Sequence, residues 1–149
     1  MKDLRVASTG QLLLAPAACA GLPLALLGLV ESFYVAPGRL SVQWYGLGLY
    51  GLVGLGAGLL FGLLFGGRAR RRDFGLIRLS GQAAAWPTFG LSAAVAGFLV
   101  FRDMWSESVA RAGVGGWLAM LAVPVGAALL AVIAREISRV LVFRASRWA

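Results

Sequence analysis

Four long apolar segments without Asp, Glu, Lys or Arg constrain this chain more than any other feature of its sequence. They are Leu12–Val30, Trp44–Gly66, Ala83–Phe101 and Trp117–Ala134. Each has about the 20 residues that an α-helix needs to cross a hydrocarbon core roughly 30 Å thick. Backbone groups in lipid must be satisfied within the segment, so uninterrupted apolar segments of this length are expected to be helical. The sequence therefore predicts an all-α integral membrane protein, a bundle of four transmembrane helices at about residues 11–31, 44–66, 81–101 and 116–135.

Two features near the N-terminus bear on whether the first apolar segment is a span or a cleaved leader. Met1–Arg5 is basic, like the start of a signal peptide, but nineteen apolar residues follow at Leu12–Val30, beyond the roughly 7–15 of a signal peptide. Cys19 follows two alanines, as a lipidated cysteine often follows small residues. However, Pro16 stands where such a motif normally has Leu, and the chain stays apolar after Cys19. We therefore interpret the segment as a span and Cys19 as a small buried residue.

The basic side chains are distributed unequally between the two sides of the predicted bundle. Of the fourteen Lys and Arg residues, eleven lie in the N-terminal segment, the second loop and the C-terminal segment, and three lie in the first and third loops. The positive-inside rule therefore predicts that both termini and the second loop are cytoplasmic. Because thirteen of the fourteen are Arg and the chain is rich in Ala and Gly, we expect a bacterial cytoplasmic (inner) membrane.

The second apolar segment contains a row of glycines at every fourth position. This row is Gly54, Gly58, Gly62 and Gly66. Small residues at this spacing let helix backbones approach closely, which drives helix association in a bilayer. Weaker rows of small residues in the first and third segments include Gly21 and Gly97. We expect these residues to form helix-packing surfaces, with the glycine groove filled by a helix of the same chain or, alternatively, by another subunit.

The chain offers few residues for chemistry. It has no histidine and one cysteine, which excludes histidine-ligated haem, iron–sulfur clusters and structural zinc within the chain. We therefore expect no cofactor and no metal. Carboxylates on the outer side form the single candidate polar site, Glu31 with Asp103 and Glu107. The last two belong to residues 101–111, whose spacing predicts a short interfacial helix in the third loop.

Clusters of arginine are expected to contact the membrane surface or a partner. They are Arg68, Arg70, Arg71 and Arg72 in the second loop and Arg135 and Arg139 at the end of the fourth segment. Anionic lipid headgroups are the expected ligands, and docking of an acidic cytoplasmic partner is the alternative. Nucleic acid is not expected, because no stacking aromatics alternate with the basic residues. The basic tail, residues 136–149, is predicted to be cytoplasmic and to lie on the inner membrane surface.

Several short signatures resemble a known type of membrane region. Gly28–Glu31 ends the first span, Trp44-Tyr45 leads into the second, and Phe101–Asp103 with Glu107 follows the third. Together they resemble the N-terminal multi-helix membrane region that precedes sulfatase-type hydrolase domains in some bacterial proteins. The Cys-x-Pro-x-Arg signature of sulfatases does not occur, since Cys19 is followed by Ala and Gly. The resemblance therefore implies the membrane anchor without the enzyme, and no catalytic residue.

These observations together predict a non-catalytic membrane anchor, scaffold or accessory subunit of a larger membrane complex. It would act through helix–helix packing, with anionic lipids and other membrane subunits as partners. Two alternatives stay open. One is a small channel or transporter subunit, although its polar lining would be sparse. The other is a membrane enzyme that uses the outer carboxylates.

Overall fold

The computed structural model describes residues 7–35, 40–71, 74–105 and 113–148. These residues form four helices and no strand: α1 (Thr9–Val35), α2 (Leu40–Arg70), α3 (Gly75–Trp105) and α4 (Gly113–Trp148). Each helix is long and apolar enough to cross a membrane. The prediction of an all-α chain with four helices long and apolar enough to span a membrane is therefore confirmed for the described residues.

The helices extend beyond the predicted spans, with lengths of 27, 31, 31 and 36 residues. The largest extension is in α4, where residues 136–148 of the predicted surface tail continue the helix to Trp148. Val142 in this extension is buried, in the same cluster as Cys19 of α1 and Ala84 of α3. Residues 101–105 of the predicted interfacial helix are the last residues of α3, and residues 106–112 lie outside the described part.

Local sequence explains where two of the helices begin. Before α1, the Ser8 amide donates to Gln11 Oε1 at 2.9 Å and the Gln11 amide donates to Ser8 Oγ at 3.2 Å. This reciprocal pair is a capping box, which satisfies amides that have no partner in the first turn. Before α3, Phe74 has a φ of 59°, and a Cβ on Gly75 would collide with the Ala69 backbone. Only glycine fits the close α2–α3 turn at position 75.

The helices pack as a group of three with the fourth attached to one side. α1 packs against both α2 and α3, and α2 also contacts α3. α4 packs mainly on α3 and touches α1 at few positions. Within the described helices, α2 and α4 do not meet. Most of the surface of α4 therefore faces outward.

Contacts between the helix ends bring the basic residues to one end of the molecule. Arg70 Nη2 at the end of α2 donates to Thr9 Oγ1 at the start of α1, at 2.6 Å. Near the start of α3, Gly81 lies against the side chains of Arg135 and Arg139 from the last part of α4. The beginnings of α1 and α3 and the ends of α2 and α4 therefore share one end, which we call the basic end.

Small side chains fill the interior, and large ones point outward. Buried apolar residues include Ala20, Ala83 and Ala84, each 0% exposed, whereas Leu64 is 71% exposed. This inverts the arrangement of a soluble protein. It suits a bilayer, where small residues bring helices together and lipid surrounds the large apolar side chains.

Candidate helix-packing and polar sites

Three of the four glycines in the α2 row face the backbone of α1. A Cβ added to Gly54 would lie 2.5 Å from the Ala20 carbonyl oxygen, and one added to Gly62 would lie 2.5 Å from the Leu12 carbonyl oxygen. A Cβ on Gly58 would overlap the Pro16 carbonyl oxygen and Ala17 Cα. Real Cβ atoms essentially never come closer than 3.0 Å to such atoms. α1 and α2 therefore approach to a separation that only glycine allows at these positions.

The face of α1 opposite this row presents backbone carbonyls at the same spacing. Leu12, Pro16 and Ala20 follow one another at every fourth position, and their carbonyl oxygens lie over Gly62, Gly58 and Gly54. Because proline has no N–H, the Leu12 carbonyl receives no hydrogen bond from Pro16 within the helix. The Cα–H group of Gly62 is placed to contact this carbonyl, a weak interaction that recurs between closely packed helices.

The other predicted packing glycines have looser contacts. A Cβ on Gly66 would meet Leu12 Cβ at 3.6 Å, one on Gly21 would meet Leu55 Cγ at 3.1 Å, and one on Gly97 would meet only Val123 Cγ1 at 4.0 Å. Only in the case of Gly21 would a neighbouring side chain have to move.

Two further close contacts involve glycines that the sequence analysis did not select. A Cβ on Gly28 would lie 2.5 Å from the Gly46 carbonyl oxygen, and one on Gly81 would lie 2.9 Å from Arg139 Cγ. Gly28 lies seven residues after Gly21, which is a helical repeat that points to the same face of α1. No such repeat marks Gly81 in the sequence. Its contact with Arg139 joins positions far apart along the chain, and spacing within one helix does not predict such a contact.

α3 and α4 meet along a seam of small residues. Ala127, Ala131, Ala134 and Ser138 of α4 are buried, as are Ser80, Ala84, Thr88 and Ser92 of α3. Cys19 of α1, buried as expected, lies beside Ser80 and Ser138. The hydroxyls of Ser80, Thr88 and Ser92 have no hydrogen-bond partner among the described residues. The small side chains of the seam let α3 and α4 approach closely, which favours association of transmembrane helices.

A second stripe of small residues on α4 is open. It consists of Gly115, Ala119, Ala122 and Gly126, which recur at helical spacing. All four residues are exposed. Beyond the helix's own backbone, no atom of the described residues lies within 4 Å of a Cβ built on Gly115 or Gly126. At 3.6 residues per turn, this face lies about 120° around the helix from the buried Ala127 and Ala131. We call these four residues the α4 stripe.

The candidate outer polar site is described only in part. Glu31 at the end of the first span is partly buried and lies beside the Tyr50 side chain of α2. Asp103 belongs to α3, but its side chain lies outside the described part, as does the whole of Glu107. The described residues bring Glu31 together with Tyr50, a partner that the sequence analysis did not select. Among those residues, no three Cys, Asp or Glu side chains are grouped as metal ligands would be.

The predicted basic residues fall into separate groups at the basic end. Arg68 and Arg71 line a cleft of about 530 Å³ between α2 and α3, together with Arg78 and Gln82. Arg70 instead bonds to Thr9. Arg135 and Arg139 both pair with Glu136, at 2.9 Å and 3.1 Å. Arg72 lies outside the described residues.

Comparison with known proteins identifies no relative of this chain. No protein-family model matches the chain, and no curated protein or solved structure is significantly similar to it. The resemblance to the membrane region that precedes sulfatase-type domains stays a prediction.

Proposed function

We propose that this chain is a non-catalytic, multi-pass membrane anchor or accessory subunit that acts by packing against a helix of a partner protein. The observation that carries the proposal is the open α4 stripe. Its residues have the size and spacing that favour helix association in a bilayer. Within the described chain, no helix covers them.

Comparison with the glycine row of α2 supports a helix-packing role for the α4 stripe. In α2, Gly54, Gly58 and Gly62 lie against the backbone of α1 of the same chain. In α4, the small residues of the stripe recur at steps of four, three and four residues, and no described residue packs against a Cβ built on Gly115 or Gly126. On a helix face that contacts only lipid, large apolar side chains are as suitable as glycine, so small residues have no particular use there. A partner helix gives the small residues of the α4 stripe a physical role.

The placement of charge supports the proposed orientation. The described basic residues of the second loop and of the last part of α4 lie at the basic end, with the start of α1. Positive charge is concentrated on the cytoplasmic side of membrane proteins. The basic end, with both termini, is accordingly cytoplasmic in our proposal, and the membrane is the bacterial cytoplasmic membrane.

Native mass spectrometry of the full-length, untagged chain extracted from its host in mild detergent tests the proposal. We expect the wild-type chain of 15.6 kDa to run in a larger complex with a stoichiometric partner. Gly126→Leu puts a large side chain on the α4 stripe, at its C-terminal end, and should release the partner. Because no described residue packs within 4 Å of a Cβ at that position, the thermal stability of the variant itself should stay close to wild type.

Gly56→Leu is the matched control, since Gly56 is an exposed glycine of α2 that also has no neighbour within 4 Å. It should leave the complex intact. A wild-type chain that runs alone, or as a small homo-oligomer, would contradict the role of accessory subunit. Retention of the partner by Gly126→Leu would show that the α4 stripe is not the contact surface.

A further inference from the structure

The cleft at the basic end has a polar side and an apolar side. Its described lining consists of Phe65, Arg68, Ala69 and Arg71 from the end of α2 and the residue after it, and Gly75, Arg78, Leu79 and Gln82 from the start of α3. The cleft has a volume of about 530 Å³. It lies where the apolar spans of α2 and α3 give way to the arginines of the loop between them. This is the level at which lipid headgroups meet a membrane protein.

The polar side of the cleft favours an anion. Three guanidinium groups, from Arg68, Arg71 and Arg78, line it, and none of the described lining residues is a carboxylate. Gly75 is the first residue of α3, and the first turn of that helix contains no acidic residue. The first amides of a helix lack intrahelical partners and carry partial positive charge. Guanidinium groups and helix N-termini both bind phosphate well.

The apolar side of the cleft favours a ligand with a hydrocarbon chain. Phe65 and Leu79 line the cleft beside the arginines. One turn further into the span of α2, the Phe61 ring lies against the Phe65 ring, with centroids 5.5 Å apart. An apolar path therefore leads from the cleft along α2 into the membrane. A free phosphate ion would use the polar side only, whereas a phospholipid would use both.

We propose that this cleft binds one anionic phospholipid. Arg68, Arg71 and Arg78 hold its phosphate, the Gln82 amide donates a hydrogen bond to its headgroup, and an acyl chain lies along Phe65 and Phe61. This inference goes beyond the proposed function and does not depend on it, because the cleft lies at the basic end and the α4 stripe lies in the opposite half of α4.

The test is lipid binding by the purified full-length chain in detergent, followed by native mass spectrometry during titration with phosphatidylglycerol or phosphatidylcholine. We expect one phosphatidylglycerol to bind with saturation, and roughly a hundredfold more tightly than phosphatidylcholine, because three basic residues at a membrane surface each contribute about 1 kcal/mol toward anionic lipid. The double variant Arg71→Gln/Arg78→Gln should lose roughly thirtyfold in affinity for phosphatidylglycerol, since it removes two of the three guanidinium groups.

Arg144→Gln is the control, because Arg144 is an exposed arginine in the last part of α4, at the basic end, and does not line the cleft. It should bind phosphatidylglycerol as wild type does. An equal loss per charge removed in Arg144→Gln and in the double cleft variant would replace the site with diffuse electrostatic attraction and overturn the proposal. Equal binding of phosphatidylglycerol and phosphatidylcholine by the wild-type chain would also overturn it. So would displacement of the lipid by millimolar inorganic phosphate, which would identify a free phosphate site.

Discussion

Gly58 shows how one missing side chain sets the distance between two transmembrane helices. Its Cα faces the backbone of Pro16 and Ala17, and a Cβ has no room there. The opposing atoms belong to backbone, which cannot rotate away as a flexible side chain can. Pro16 is itself among the most completely buried residues of the described chain. The close approach of α1 and α2 therefore depends on hydrogen, in place of a methyl group, at position 58.

We predict that Gly58→Ala destabilises the protein by about 2 kcal/mol or more, because overpacking costs about 1–3 kcal/mol even where side chains can adjust. Gly58→Ile should be still more harmful. Gly56→Ala adds the same methyl group two residues away, where no atom lies within 4 Å, and should be close to neutral. Thermal unfolding in detergent measures both. Equal midpoints for Gly58→Ala and wild type would refute the close-packing role of this glycine.

At the scale of the helices, α4 differs from the other three. It is held mainly by α3, through Ala127, Ala131, Ala134 and Ser138, whereas α1 contacts two helices extensively. Its last part stays in contact with the bundle because Val142 is buried in the cluster against which Leu76 and Ile77 of α3 pack. Regions with fewer buried contacts open at lower free-energy cost. α4 is therefore the element expected to separate first.

Hydrogen exchange tests this prediction. In wild-type protein, the amides of α4 near Ala131 should exchange before those of α1 and α2 near their glycine contacts. Ala131→Leu places a large side chain in the α3–α4 seam and should speed exchange in α4 while leaving the α1–α2 pair unchanged. Ala128→Leu, on an exposed part of α4, is the control and should have little effect. Uniform acceleration in all four helices would instead show that the protein opens as one unit.

At the scale of the whole molecule, the described charged groups differ between the two ends of the helix bundle. Arginines from α2, α3 and α4 gather at the basic end, and Glu31 with Tyr50 lies toward the opposite end. This arrangement follows from antiparallel packing of consecutive helices. It predicts which positions can be reached from each side of the membrane.

We predict that one cysteine added in place of Val114, which is 76% exposed at the end of α4 opposite the basic end and lies outside the α4 stripe, is labelled by a membrane-impermeant maleimide added to intact spheroplasts. A cysteine replacing Ser146, exposed at the basic end, should be labelled only after the membrane is permeabilised. Both expectations follow from cytoplasmic placement of the basic end. Wild-type protein sets the background, because its cysteine, Cys19, is buried. The reverse labelling pattern would show that the proposed orientation is wrong.

Some properties of this protein could be read from its sequence because they depend on residues close together along the chain. Four apolar segments of about 20 residues predict four helices, because a helix satisfies its backbone hydrogen bonds within one segment and continuous apolar segments lack the alternation of barrel strands. The α2 glycine row is likewise visible, since its members lie one helical turn apart. Helix ends were less predictable. The tail after residue 135 continues as helix because burial of Val142 among residues of α1 and α3 stabilises it there.

Which surfaces meet was decided by the tertiary structure. The glycine row of α2 and the α4 stripe have similar spacing in the sequence, yet α1 covers the first and no described helix covers the second. The basic cleft joins Arg68 and Arg71, which the sequence analysis selected, to Arg78 and Gln82, which it did not. Such pairings depend on the free energy of contact between distant parts of the chain. Spacing within one helix shows that a face can pack closely, but only the arrangement of all the helices determines what packs against it.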